Sequence, residues 1–477
     1  MIDAFFSGFG MAMRVDTFLM VSVGLFSGML IGALPGFTTL MAMAILLPVS
    51  FFMDPLVGIP FLLGIYKGGI FGGSIPAILI SMPGTGAAIA TTFDGYKLTQ
   101  KGQSRKALDM ALFSSIFGDT SSDIFTLMMI FPIALVVMQF GPPELAAILF
   151  LSLVIIAATS GRNPLKGLLM MGIGLWFSLI GTDPIGGVER FTFGLFELKS
   201  GIPLLPMLIG VFALPEIVSV FGDRSSHLRA ATKILGIGVV PGLGQVVAAM
   251  MGYTAAKNAS KTPEKFGTGE LEGVAAAESA NNAVNGPTMV PLLTLGIPGD
   301  NVTAILLGAF IAQGLRPGPD LFENQADMVF AILIVMVLAN VLFLIIGYLS
   351  IPFFARIVTI KSSLLIPMVI IFAVAGSYVF RSDVFDILML AFFGIFGVMA
   401  RAAKFDVMPM VMGFILGEPL EYAFGQTMAM ADGNLLAFAL TERQGMLAIV
   451  IATPLIGYAL WRRMNKTLKP STADQFS

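Results

Sequence analysis

Hydroxyl and amide side chains surround two Pro-Gly steps in strongly apolar parts of this sequence. The residues of interest around the first step are Gly73, Ser74, Ser81, Pro83, Gly84 and Thr85. Those around the second step are Asn281, Asn282, Pro298, Gly299, Asp300 and Asn301. Small residues let the backbone approach a ligand closely, and a helix that restarts after Pro-Gly presents free N–H groups to an anion. The pattern therefore predicts that both steps bind a small anionic substrate.

The pattern occurs twice in the same order, once in each half of the chain. The segment Gly32 to Gly36 precedes the first step, and the similar segment Gly238 to Gly242 precedes the second. Pro76 and Pro291 stand at matching positions before the two Pro-Gly steps. A backbone break at membrane depth is tolerated only where it is buried in protein or lines a polar cavity. Paired Gly/Pro interruptions in the two halves of a membrane protein therefore indicate a transporter's binding site.

Oxygen atoms at the breaks also suit a hard cation, because unwound carbonyls and Asn, Ser or Thr oxygens bind sodium in such places. The candidate sodium-site residues are Gly36, Thr38, Gly242, Asp300 and Asn301. For Asp300, capping of the restarting helix is an equal alternative. The simpler interpretation of any one glycine-rich stretch is close helix packing. Two breaks that both carry amides and hydroxyls favour a binding site.

Lys67 is an ionisable residue between apolar segments, and such residues in membrane helices are rare and by default suggest function. Its ammonium group is a candidate partner for a substrate carboxylate. It is equally a candidate partner for Asp119 or Asp123 in a purely structural pair. Under the first alternative, Lys67→Ala abolishes uptake and leaves protein levels intact. Under the second, folded protein is lost from the membrane.

The composition is that of a membrane protein with many helices. Of the 477 residues, 56% are hydrophobic and 12% are charged, and the mean hydropathy is +0.90. An average soluble domain carries about 25% charged residues. Apolar stretches long enough to cross a bilayer recur, and they lack the alternation of a membrane barrel. The prediction is an all-α, multi-pass protein of roughly 11 to 14 helices and half-helices, some of them re-entrant or broken.

Several kinds of chemistry are excluded. The chain has no cysteine and a single histidine, His227, in its most polar stretch. Thiolate chemistry, His-Cys metal clusters and His-based triads are therefore absent. A hydrolase that pairs Ser74 with Lys67 is a weak case, because a Gly-rich segment separates the two residues. We predict no enzyme activity, no cofactor beyond a coupling ion (sodium or a proton), and no nucleic-acid partner.

The polar stretch from Gly222 to Lys233 predicts a division into two transmembrane repeats, residues 1–225 and 226–477. Basic residues follow the second break motif in the first half but precede its counterpart in the second half. Cytoplasmic loops are enriched in Lys and Arg, so equivalent loops face opposite sides, as in inverted-topology repeats. Two parallel repeats are the alternative. The N-terminus has no basic run before its first apolar stretch and is predicted to be a retained helix, and the basic tail predicts a cytoplasmic C-terminus.

At these motifs the sequence resembles the large membrane subunit of the tripartite tricarboxylate transporters, the TctA family. The resemblance covers nearly the whole chain, and its motifs together are specific. The matching stretches are Gly32 to Gly36, Gly64 to Gly84, Phe93 to Tyr96, Gly181 to Pro184, Arg190 to Gly194, Gly238 to Gly244 and Glu272 to Phe322.

The resemblance implies a multi-pass protein of the cell inner membrane, lying in the lipid bilayer. It implies a secondary transporter that is driven by an ion gradient and takes carboxylates from a periplasmic solute-binding protein. A small membrane subunit of four helices is the second implied partner. A stand-alone carboxylate carrier or channel that needs no binding protein is the alternative.

The sequence departs from the family's pattern near the candidate site. Aromatic residues are usual where Lys67 and Phe71 stand, asparagine is usual at Ser81, an acid is usual at Thr85, and a small residue is usual at Asp119. Because these positions surround the candidate site, the resemblance leaves open which carboxylate this chain transports.

Overall fold

The structure is a computed structural model, and it describes residues 2–34, 37–159, 164–183, 185–221, 244–357, 366–432 and 434–467. Two candidate sodium-site residues, Gly36 and Gly242, lie outside the described residues. The predicted linker, residues 222–233, also lies outside them.

Within those ranges the chain is almost entirely helical, and the predicted all-α class is confirmed. The first helices are α1 Ile2–Ala12, α2 Val15–Gly32, α3 Thr39–Ser50, α4 Pro55–Ile80, α5 Ile89–Gln100, α6 Ser104–Val137, α7 Pro142–Thr159, α8 Pro164–Ser178, α9 Leu204–Phe221 and α10 Gly244–Ala259. The others are α11 Leu271–Asn282, α12 Asn285–Leu295, α13 Asn301–Ala312, α14 Pro319–Asn324, α15 Ala326–Ile357, α16 Ile366–Arg381, α17 Val384–Ala402, α18 Met408–Met430, α19 Leu435–Thr441 and α20 Gln444–Thr467. Two short antiparallel strands, β1 Gly181–Thr182 and β2 Glu189–Arg190, pair within the loop after α8.

The described helices fall into two compact units. Of the described residues, those within 2–138, 204–221 and 244–398 form unit 1, and those within 139–203 and 399–467 form unit 2. These units are defined by packing, whereas the predicted boundary near residue 225 is defined by sequence repetition. Two repeats are free to contribute helices to one packing unit, so the assignment of two repeats stays a prediction.

Many of the helices are apolar enough for a membrane. Among the described residues, α2, α4, α6, α15 and α17 are each long and apolar enough to cross one. The pair α19 and α20, bent by 108°, counts as a sixth span if it is a single broken one. Six shorter apolar helices or helix segments, α1, α3 and α13 among them, have 10–17 residues. The protein is a multi-pass membrane protein, as the composition predicts.

The first predicted break lies at the end of α4. The helix ends at Ile80, and Ser81 adopts the left-handed conformation with φ 57°. The N–H of Met82 then donates a hydrogen bond to the carbonyl oxygen of Pro76 at 3.2 Å. A left-handed residue is a common way to end a helix, but it usually is glycine because a side chain is strained there.

The second break has the same local geometry. Helix α12 ends at Leu295, and Gly296 is left-handed with φ 68°. The N–H of Ile297 donates to the carbonyl oxygen of Pro291 at 3.1 Å. The two matching prolines therefore accept the same capping hydrogen bond, one in each half of the chain. The prediction of broken helices at both motifs is confirmed.

The glycines of α2 and α4 bring these two helices into close contact. Gly24, Gly28 and Gly32 of α2 lie along Gly64 and Gly68 of α4 with backbone against backbone. Such small-residue contacts let membrane helices pack tightly without a hydrophobic driving force. The packing alternative for this glycine-rich stretch is therefore observed, and α4 is held where its polar residues can meet those of other helices.

We expect Gly68→Ala to destabilise the protein by about 1–3 kcal/mol, the usual range for overpacking a tight interior. A methyl group at this position would overlap the Leu25 carbonyl oxygen of α2. Thermal unfolding of the purified protein in detergent measures the loss. The control is Gly10→Ala in α1, where nothing lies within 4 Å of the added carbon. Equal melting temperatures for the two variants would contradict the tight α2–α4 contact.

Candidate functional site

Lys67 lies in the interior of unit 1 and is 1% exposed. Its Nζ atom is 2.6 Å from Asp123 Oδ2 and 3.4 Å from Asp119 Oδ1. It also donates to Asn340 Oδ1 at 3.1 Å, and Asn340 Nδ2 donates to Asp123 Oδ2 at 2.8 Å. Three helices, α4, α6 and α15, thus supply one buried polar cluster. The structural pairing that the sequence left open is present.

The cluster continues as a chain of hydrogen bonds towards the second break. Asn285 Nδ2 donates to Asp119 Oδ1 at 2.6 Å. Gln245 Nε2 donates to Asn285 Oδ1 at 2.9 Å and to the hydroxyl of Tyr66 at 3.0 Å. Tyr66 in turn donates to Asp300 Oδ2 at 2.9 Å. The network therefore joins Lys67 of α4 to Asp300, although the two are far apart in sequence.

Asp300 caps the helix that restarts after the second break. Its Oδ1 atom accepts the N–H of Thr303 at 2.7 Å, and the hydroxyl of Thr303 accepts the N–H of Asp300 at 2.9 Å. This reciprocal pair is a capping box. The capping alternative is therefore observed, and a sodium-binding role for Asp300 stays a proposal.

A second buried carboxylate, Glu278 of α11, lies among hydroxyl groups. Ser74 donates to Glu278 Oε1 at 2.5 Å, Thr91 donates to the same oxygen, and Ser115 donates to Oε2 at 3.0 Å. Glu278 is 0% exposed. Of these four residues only Ser74 was predicted at the site, because spacing along the sequence does not show which helices will surround an acid.

The remaining residues of the first break form a compact turn. The N–H of Gly84 donates to the carbonyl oxygen of Gly73 at 3.0 Å, and Thr85 packs on Gly73. Thr85 Oγ1 also accepts the N–H of Ala88 at 3.3 Å, near the start of α5. Ser81 and Pro83 are exposed. The structure thus brings Gly73, Gly84 and Thr85 together at the base of the break.

The other predicted residues occupy separate places. Asn281 is buried, and neither atom of its side-chain amide has a hydrogen-bond partner among the described residues. Asn282 Nδ2 donates to the carbonyl oxygen of Glu278 at 2.9 Å, and its Oδ1 is unpaired there. Gly299 is buried against Thr288, Pro298 is buried and Asn301 is exposed. Thr38 caps α3 by accepting the N–H of Met41 at 3.2 Å.

A model of the tripartite tricarboxylate transporter TctA family matches residues 18–412. The chain belongs to this family. One relative from Agrobacterium vitis, an "uncharacterized 52.8 kDa protein in TAR-I ttuC' 3'region", is 34% identical over 455 residues, which is 90% of this chain and 91% of the relative. A second from the same organism, an "uncharacterized protein in TAR-II ttuC' 3'region", is 38% identical over 202 residues, which is 42% of this chain and 84% of the relative. No solved structure matches the chain.

Membership of the TctA family makes the chain the large membrane subunit of a tripartite tricarboxylate transporter, and this implies partner subunits. The resemblance drawn from the motifs is thereby confirmed. Some polar residues of the hydrogen-bond network around Lys67 were not predicted from the sequence. Asn340 carried a signal, because an amide inside the apolar span of α15 is unusual. Gln245 and Asn285 carried none beyond their nearness to the breaks.

Unit 2 of the TctA-family chain holds an ion pair in the loop after α8. Arg190 donates two hydrogen bonds to Glu421 of α18, at 2.7 Å and 3.0 Å. A hydrogen bond from the N–H of Ile185 lowers the pKa of Asp183, whose carboxylate also lies 3.8 Å from Arg190. A paired carboxylate–guanidinium fork stabilises geometry. The ion pair therefore holds the loop after α8 against α18.

Two substitutions distinguish helix capping by Asp300 from sodium binding by Asp300. Asparagine is as good an N-cap as aspartate but has no charge, whereas alanine removes the cap and costs about 1 kcal/mol. We expect Asp300→Asn to lower the melting temperature less than Asp300→Ala does, because asparagine keeps the cap and loses only the oxygen that accepts the Tyr66 hydroxyl. Binding of ²²Na⁺ to the purified protein is the second measurement. Asp300→Asn with full sodium binding would remove Asp300 from the candidate sodium residues.

Proposed function

We propose that this chain is the membrane-embedded translocating subunit of a binding-protein-dependent secondary transporter in the cell inner membrane. It imports a carboxylate delivered by a periplasmic solute-binding protein and works beside a small four-helix membrane subunit. An ion gradient drives the uptake, and the coupling ion is sodium or a proton. The substrate contacts residues at the two breaks.

The charge balance of the buried residues is the observation that carries this proposal. In the hydrogen-bond networks at the two breaks, one base, Lys67, is accompanied by four acids, which are Asp119, Asp123, Glu278 and the partly buried Asp300. Two other buried acids are bound elsewhere: Asp94 accepts backbone N–H groups, and Asp386 pairs with Arg381. Charges in a poorly hydrated interior are costly unless they are compensated. Bringing an anionic substrate into this region without a cation would add to an existing excess of negative charge. Coupled entry of a cation is therefore the arrangement that the residues favour.

The geometry of the two capped breaks supports the proposal that the substrate contacts residues there. Each leaves a short irregular segment next to a carboxylate, the buried Glu278 near the first break and the partly buried Asp300 at the second. In transporters with repeated halves, substrate and ion sites lie where such helices are interrupted. The hydrogen-bonded chain through Tyr66 joins the Lys67 cluster to the second break. Events at that break can thus reach the cluster through direct contacts.

Uptake into proteoliposomes tests the proposal. The three subunits are reconstituted together, and the substrate is first chosen by a thermal-shift screen of mono-, di- and tricarboxylates on the cognate binding protein. Uptake of the radiolabelled hit is compared under a sodium gradient, a proton gradient and no gradient, with and without the binding protein. We expect uptake to need one gradient and the binding protein. Uptake that is indifferent to both would favour a stand-alone carrier or channel instead.

We expect Glu278→Gln to reduce the rate of this uptake at least tenfold, which is a free-energy change of about 1.4 kcal/mol or more. We expect the variant to fold largely as the wild type does. The hydroxyls of Ser74, Thr91 and Ser115 can rotate to suit an amide, but the buried negative charge is gone. The matched control is Glu272→Gln on the same helix, because Glu272 is exposed. Glu278→Gln with unchanged uptake would remove Glu278 from the transport mechanism.

A further inference from the structure

Two carboxylate oxygens next to Lys67 have no hydrogen-bond partner. They are Asp119 Oδ2 and Asp123 Oδ1, and both are buried with no donor among the described residues. Both acids lie on α6, four residues apart, so they share one face of the helix. Thr126 Oγ1, on the next turn of that face, is also buried and without a partner. Buried polar atoms are nearly always satisfied in native proteins, so these three require an explanation.

The donors present are all directed at the other two oxygens. Lys67 and the amide of Asn340 donate to Asp123 Oδ2, and the amide of Asn285 donates to Asp119 Oδ1. Lys67 neutralises one of the two carboxylates. If both acids are ionised, one negative charge remains buried without compensation, and two acceptor oxygens have nothing to accept.

A metal cation is poorly suited to bind the two unpaired carboxylate oxygens of this cluster. The Lys67 ammonium already occupies the position between the two carboxylates, at 2.6 Å from one and 3.4 Å from the other. A second cation would be placed beside it and repelled by it. A proton avoids this repulsion, because it binds directly to a carboxylate oxygen and cancels the remaining negative charge. It also turns an unpaired acceptor into an O–H donor.

We propose that Asp119 and Asp123 share one exchangeable proton, and that this proton, not a sodium ion, completes the Lys67 cluster. The step is a simple protonation: one O–H bond forms on one of the two carboxylates, and the same bond breaks when the proton leaves. The inference rests on the proposed function only for its consequence, which is that a proton is the ion coupled to transport at this place.

Few other charged groups face the cluster. Helix α4 contributes Lys67 and Tyr66, and the phenol of Tyr66 is directed at Asp300. Helix α11 contributes Glu278, which accepts the hydroxyl of Ser115, one turn before Asp119 on α6. Helices α12 and α15 contribute only the amides of Asn285 and Asn340. The remaining acids on α6 and on the helices packed against it are engaged elsewhere or exposed. Asp94 of α5 binds Tyr253, Asp109 of α6 pairs with Arg105, and Asp327 accepts the N–H of Met328 in the first turn of α15. Glu272 of α11 and Asp320 and Glu323 of α14 are exposed.

Infrared spectroscopy of the purified chain tests the protonation without any substrate. Protein labelled with ¹³C at the side-chain carboxyl of aspartate is compared with unlabelled protein at neutral pH. We expect a protonated-carboxyl band that shifts with the aspartate label, which excludes Glu278 as its source. The band should be lost in Asp119→Asn or Asp123→Asn and kept in Asp109→Asn. A wild-type spectrum with no label-sensitive band would overturn the proposal.

Folding gives a second, independent measurement. Asparagine mimics a protonated aspartate, so we expect Asp119→Asn to keep the wild-type melting temperature. A structural carboxylate pair would instead lose stability on this change. The third measurement is the effect of sodium on the infrared spectrum. Replacing choline chloride by NaCl should leave the protonated-aspartate band unchanged. A band that sodium abolishes would mean that the cluster accepts sodium. Because none of these measurements needs transport, a failure of the proposed function would show only in the uptake assay.

Discussion

Replacing Lys67 by methionine will remove most folded protein from the membrane. Methionine keeps the apolar stem and the approximate volume but deletes the ammonium group that lies 2.6 Å from Asp123 and 3.4 Å from Asp119. Removing one partner of a buried ion pair costs about 3–5 kcal/mol, because it leaves an uncompensated charge in the interior. Native proteins are stable by only about 5–15 kcal/mol, so a loss of this size removes most of the stability of a chain near the lower end of that range. Fluorescence-detected size exclusion and thermal unfolding in detergent measure the outcome.

The charge itself, and not the shape of the side chain, should be responsible for the loss. We therefore expect Asp123→Asn, introduced into the Lys67→Met chain, to restore much of the folded protein. Lys106→Met serves as the matched control, because Lys106 is exposed at the start of α6. If Lys67→Met folds as well as the wild type and loses only uptake, the ammonium acts on the substrate and the structural pairing is secondary.

The helices and their interruptions could be predicted from the sequence, because both depend on local properties. Apolar stretches predict membrane helices, and Pro76 and Pro291 mark the helix ends that Ser81 and Gly296 cap. Even the equivalence of the two breaks is visible as matching spacing. Their shared capping geometry, with an N–H donated to each proline carbonyl, follows from the backbone conformation that such sequences prefer.

The pairing inside unit 1 could not be predicted in the same way. Lys67 and Asp123 lie on two different helices, and Asn340 on a third. Which side chains meet depends on the rotation and crossing of these helices. The glycine contact between α2 and α4 fixes one such crossing, yet the sequence shows only that small residues are present. The choice between a substrate-binding and a structurally paired Lys67 therefore stayed open until the contacts were known.

Asp94 is the largest omission from the sequence interpretation. It lies in a motif that the family shares, but no property of α5 alone indicates what it binds. In the structure it is 0% exposed, and its carboxylate accepts bonds from a loop more than 170 residues away. An acid of this kind is identified by its partners. Backbone N–H groups, which every residue but proline has, leave no signature in sequence.

Replacing Asp94 by alanine will unfold the loop between α10 and α11 and lower the stability of unit 1. Asp94 Oδ1 accepts the N–H groups of Gly267, Gly269 and Glu270, each at 2.8 Å, and Oδ2 accepts the hydroxyl of Tyr253 at 2.8 Å. Hydrogen bonds to a charged group contribute about 1.5–3 kcal/mol each and are not additive. We expect a total loss on the order of 4 kcal/mol. Thermal unfolding measures it.

Two further variants distinguish the stability that comes from the loop N–H groups from that of the Tyr253 hydroxyl and of a surface acid. Tyr253→Phe deletes one of the four donors and keeps the ring packed against Phe93 and Phe266, so we expect it to cost about 1.5 kcal/mol, well below the cost of Asp94→Ala. Asp109→Ala removes an acid paired with Arg105 at the protein surface and should cost about 0.5 kcal/mol or less. Limited proteolysis should cut Asp94→Ala, but neither of the others, between residues 260 and 270. Resistance of that loop in Asp94→Ala would show that its conformation does not depend on the carboxylate, and that α5 and α11 are held together by packing alone.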